Sequence, residues 1–121
     1  HLVAKEMWNK VGGFSEEFNP GIGSDPDFNM KLWNQGVRIF KGLANFKVYH
    51  FGSVTTRKKD GFKQNRGDKT FLKKWGITIK FFKKYYLKSK SKYFGPLSDP
   101  KITLNYLFEL MLCKIRKIFT I

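Results

Sequence analysis

Apolar residues in this chain recur mostly at helical spacing, with two short runs that alternate instead. Val3, Met7, Trp8 and Val11 repeat every third or fourth position, which predicts a helix over residues 4–11 that Gly12-Gly13 stops. Asn19-Pro20-Gly21 and Gly23 supply turn chemistry. A second helix is expected over about 26–35, with Phe28 and Leu32 on one face and Lys31 and Asn34 outward. Asp25 is placed to cap it, Pro26 suits its first position and Gly36 ends it. Val37-Arg38-Ile39-Phe40 and Phe46-Lys47-Val48-Tyr49 then read as two short strands around a Gly42-Leu43-Ala44-Asn45 turn.

Helical periodicity returns after a polar loop. Residues 62–75 predict a helix whose apolar stripe is Phe71, Leu72 and Trp75. Residues 77–88 predict another, pairing Phe81 with Tyr85 and Phe82 with Tyr86 beside a basic row of Lys80, Lys84 and Lys88. Ser89-Lys90-Ser91-Lys92 reads as a linker, and Asp99-Pro100 as the start of a last helix over 101–118. That helix carries a long apolar face of Leu104, Leu107, Phe108, Met111, Ile115 and Ile118, which needs cover from the domain, a second copy of the chain or lipid. Leu104–Cys113 is too short to span a bilayer, and Lys114, Arg116 and Lys117 cut it off.

Charge changes the picture more than length does. The chain has 121 residues, and its thirteen Phe favour a packed domain over disorder. The net charge of +15 is lopsided: residues 1–56 hold six Lys/Arg against five Asp/Glu, whereas 57–121 hold eighteen against four. Such a tail asks for an anionic partner, whether phosphates, a membrane surface or nucleic acid. The lone Cys113 lies in an apolar helical pattern, where a buried small residue is expected rather than a nucleophile. His1 is no start residue and the chain opens straight into a helical pattern, so a fragment is expected.

The chemistry concentrates in residues 11–33. Val11-Gly12-Gly13-Phe14-Ser15-Glu16-Glu17-Phe18 is followed by a spacer and by Ser24-Asp25-Pro26-Asp27, which opens an amphipathic helix. Together with Gly36-Val37-Arg38-Ile39 and Val48-Tyr49-His50-Phe51-Gly52-Ser53, this block resembles the acceptor side of family 2 glycosyltransferases of the GT-A fold. The resemblance implies an α/β fold, seen here as a C-terminal fragment, mostly helical with two short strands. It implies an acceptor-side half over 1–60 and a basic helical extension over 61–121. It carries the family's general base onto Asp25, which would take the proton of an acceptor hydroxyl; a helix cap is the structural role open to the same residue. Gly12, Gly13 and Phe14 would shape the acceptor pocket and Asp27 contact the acceptor, although a first-turn Asp also complements the helix dipole. His50 would complete a divalent metal site (Mn or Mg), and Arg57 and Lys58 would steady the donor's diphosphate from a lid.

This chain departs from the pattern at Ser24, where the family usually has Glu or Asp, so no role can need two adjacent carboxylates there. Asp25-Pro26-Asp27 spells D-x-D, but the family's metal motif follows a strand upstream of Gly-Gly-Phe, and the match is rejected. The expected activity is inverting transfer from a nucleotide-sugar donor to a glycan or lipid-linked acceptor, in the cytoplasm or at the inner face of the cytoplasmic membrane. The donor-binding half would lie outside these residues, leaving the piece inactive alone. Further expected partners are an anionic membrane surface and a homodimer mate. Two readings compete: a nucleic-acid module built on the lysines and aromatics between Lys69 and Tyr93, and a peripheral membrane module.

Overall fold

The computed structural model describes residues 1–19, 21–43, 45 and 66–120. Helix α1 spans Lys5–Val11. Gly12 and Gly13 stop it, both at positive φ, and the Gly13 amide donates to the Trp8 carbonyl at 3.1 Å. A β-carbon on Gly13 would lie 2.7 Å from the Trp8 ring, so only glycine lets this turn close on the indole. A 3₁₀ turn, Glu16–Phe18, then buries Phe18.

Helix α2 spans Ser24–Asn34, so it starts two residues earlier than its sequence signals suggest. Gly23, at φ +90°, is the capping residue, and no side chain caps the helix. Asp25 is therefore a helical first-turn residue and not the cap, and Pro26 is not at the first position. The far end behaves as expected. Gly36 donates to the Trp33 carbonyl and Val37 to the Leu32 carbonyl, the paired bonds of a Schellman stop.

The α/β expectation is overturned here: among the described residues there is no strand. Residues 37–40 leave α2 as irregular chain. Arg38 turns back to donate to the Trp33 carbonyl at 2.7 Å and stacks its guanidinium 4.0 Å over the Trp33 ring, while Phe40 stacks on the same ring. Apolar-polar alternation thus serves docking onto a helix end rather than sheet pairing. The second expected strand, 46–49, lies outside the described residues, as do 62–65 of the third expected helix.

Helix α3 spans Arg66–Trp75 and stops at Gly76, which has a positive φ. Helix α4 begins as Ile79–Phe81, capped by the Thr78 hydroxyl, and widens into a π turn over Phe82–Tyr86. The predicted ring pairs form, with centroids 4.6 Å apart for Phe81 and Tyr85 and 5.5 Å for Phe82 and Tyr86. Helix α5 spans Leu104–Ile118 and is capped by Thr103, not started at Asp99-Pro100. Asp99 instead accepts from Arg38 at 3.0 Å.

These helices share a core of Phe18, Met30, Trp33, Phe71, Leu72, Ile77, Phe81, Phe82 and Cys113, joining residues from both parts of the chain. Cys113 is buried, as its pattern suggests. The long apolar face of α5 is not covered by the domain. The side of α5 that packs inward is Tyr106, Leu110 and Cys113, while Leu104, Leu107, Phe108, Met111, Ile115 and Ile118 stand exposed.

Candidate functional site

The N-terminus of α2 and the Gly12–Ser15 turn are fastened to each other. Lys31 donates from α2 to the Gly13 carbonyl at 3.0 Å, and the Ser15 hydroxyl donates to Asp27 Oδ2 at 2.7 Å. Trp8, Phe14 and Phe28 meet with ring centroids 5.0 to 5.2 Å apart, mostly edge to face. His1 closes the cluster. Its ring lies 5.3 Å from Phe28 and 6.1 Å from Phe14, its Nε2 is 3.1 Å from Asn29 Oδ1, and its Nδ1 is 3.7 Å from Asp25 Oδ1.

Two carboxylates two residues apart have opposite surroundings. Asp25 points outward, its side chain 72% exposed. Asp27 is wholly buried. Its Oδ1 accepts from the Trp75 indole at 2.8 Å and pairs with Lys74 at 2.9 Å, while its Oδ2 accepts from Ser15 and lies 3.8 Å from Lys31. These charge-assisted bonds replace the water that burial removes. Lys74 bridges onward to Glu17 at 2.6 Å and to the Ser15 hydroxyl at 3.1 Å. Partial burial disfavours the Lys74 charge, but hydrogen bonds to Glu17 and Asp27 outweigh it and hold the ammonium above its usual pKa.

Of the residues singled out in sequence, Asp25, Gly12, Gly13, Phe14 and Asp27 gather at this end of the molecule. Gly13 is buried beneath Trp8, and Phe14 is half-exposed. Asp27 faces the interior, bound to the protein's own donors. Lys31, Ser15, Lys74 and Trp75 were not singled out as site residues. Lys31 could have been found, since Asp27 and Lys31 stand at i,i+4 on a helix. The contact of Trp75 spans 48 residues and leaves no local trace.

His50, Arg57 and Lys58 lie outside the described residues. Among the described residues no cluster of His, Cys, Asp or Glu could hold a metal ion, so Asp25 and its neighbours do not fit the expected divalent cation by themselves. No helix among them is long and apolar enough to cross a membrane. No protein-family model, curated protein or solved structure matches the chain.

Proposed function

We propose that this chain is the acceptor-side part of a glycosyltransferase resembling family 2, with Asp25 as the general base. The observation that carries this is the division of labour at the start of α2. Asp27 is consumed by the fold, whereas Asp25 offers a solvent-facing carboxylate that, among the described residues, meets the His1 ring. In the transition state Asp25 would accept the acceptor's hydroxyl proton while that oxygen attacks the anomeric carbon and the nucleotide diphosphate departs. Phe14, half-exposed in the aromatic cluster that also holds the His1 ring, offers an apolar face to the acceptor. His50 would help hold a divalent metal, and Arg57 and Lys58 would steady the departing donor diphosphate.

Burial also weighs against the nucleic-acid reading. Phe71, Phe81 and Phe82, three of the aromatics interleaved with lysines, lie in the core and cannot stack on bases.

The test is kinetic. In the enzyme that joins this chain to its donor-binding half, Asp25→Asn should lower kcat by roughly a hundredfold or more, the usual worth of a positioned base, and leave donor affinity unchanged. Near-normal turnover by that variant would reduce Asp25 to a first-turn residue and remove the proposal.

A further inference from the structure

Helix α5 has apolar residues on opposite sides, and the structure uses one side. At roughly 3.6 residues per turn, Tyr106, Leu110 and Cys113 fall on the face that packs into the core. Leu104, Leu107, Phe108, Met111, Ile115 and Ile118 fall on the opposite face, between 42% and 86% exposed. Lys114 borders this stripe on one edge and Arg116 on the other. A single exposed leucine needs no explanation, but a continuous stripe along a whole helix does.

What adjoins the stripe indicates its partner. Ile115, Arg116 and Phe119 form one wall of a cleft whose other side includes Asp68, Ile79 and Lys80. Those three also line the next cleft, of about 630 Å³, where Lys83, Lys84, Lys88 and Lys90 join Lys80 and Asp68 is the carboxylate present. Lys84 is engaged by Glu109 and Lys88 by the Ser98 hydroxyl, but Lys80, Lys83 and Lys90 form no salt bridge with a described carboxylate. An apolar stripe therefore runs into a lysine-lined cleft on one continuous surface.

We propose that this surface docks on an anionic phospholipid bilayer. Helix α5, about 22 Å long, lies in the plane of the interface with its stripe at the headgroup–acyl boundary. The lysine cleft meets the lipid phosphates. A second copy of the chain fits this surface poorly. A two-fold interface would press two lysine-lined surfaces together on chains that each carry +15. Docking needs nothing from Asp25.

Flotation tests this with the 121-residue chain. It should float with vesicles of equal parts phosphatidylglycerol and phosphatidylcholine and stay behind with phosphatidylcholine alone. Leu107→Glu with Met111→Glu should weaken partition onto the anionic vesicles roughly tenfold or more, and Lys83→Glu with Lys90→Glu should do likewise. All four positions are exposed, and unchanged circular dichroism and melting of both variants separate lost docking from lost fold. The proposal is overturned if the chain does not float, if it floats equally on neutral vesicles, or if either folded variant floats as the parent does. A dimer in sedimentation that the Leu107/Met111 variant dissociates, with no flotation by the parent, would assign the surface to a second copy instead.

Discussion

Asp25 and Asp27 show how two residues of one type, one helical turn apart at most, take on different work. Asp27 sits where Ser15, Lys74 and Trp75 converge, so its carboxylate ties the Gly-Gly-Phe turn, α2 and α3 together. Among the described residues Asp25 meets only the His1 ring, and its side chain faces solvent. Only half of this contrast was legible in sequence. An Asp in a first turn predicts a favourable helix-dipole interaction for both, and nothing local reports which of them a distant tryptophan will reach. Elsewhere in the core, burial above all pushes the Tyr86 hydroxyl up to about 12, with the Tyr106 hydroxyl adding to the shift. The sign follows directly: the folded phenol keeps its proton where the unfolded one has lost it, so this stability is present below the ordinary tyrosine pKa. It is lost as pH rises toward 12. Lys74, also raised, acts in the same direction. Denaturant melts across the alkaline range should therefore show stability falling with pH, and Tyr86→Phe should flatten that fall. An unchanged alkaline slope in Tyr86→Phe would show that Tyr86 does not carry it.

At the scale of elements, the ends of helices were easier to read than their beginnings. Gly12, Gly36 and Gly76 stop α1, α2 and α3 at positive φ, which glycine adopts without strain, so the sequence signal and the physical cause coincide. The starts misled because Ser-Asp-Pro satisfies a capping pattern twice and caps neither time: Gly23 and Thr103 hold those positions. Residues 37–40 have strand-like composition, yet Trp33 offers them a stacking surface that outcompetes a ladder. The close approach of α3 to the turn before α2 left no pattern at all. A β-carbon on Gly67 would lie 2.0 Å from the Ile22 carbonyl oxygen, a backbone atom that cannot swing aside. Gly67→Ala should cost about 1–3 kcal/mol or more in urea denaturation, as overpacking typically does. A loss of only a few tenths would mean that α3 does not pack so tightly on this turn.

For the molecule as a whole, the shared core means that the neutral first part and the basic second part fold around the same side chains. Trp75 and Lys74 of α3 hold Asp27 of α2, so the site that offers Asp25 to solvent depends on the second part for its shape. Net charge raises the expectation of an anionic partner but says nothing of where the cations gather, since helix packing decides that the cleft lysines lie beside the α5 stripe. The proposed function divides the work at the start of α2 between Asp25, held out to solvent, and Asp27, held by the fold. The most direct measurement places Asp25→Asn and Asp27→Asn side by side in the proposed transferase, this chain joined to a donor-binding half, reading sugar transfer and melting in each. Asp25→Asn should melt as the parent does and lose transfer. Asp27→Asn should be destabilised by about 1–3 kcal/mol, because the charge-assisted bonds that Lys74, Ser15 and Trp75 make to a buried carboxylate are lost or left to a neutral amide. Retained transfer in Asp25→Asn, or an unshifted melt in Asp27→Asn, would contradict the division.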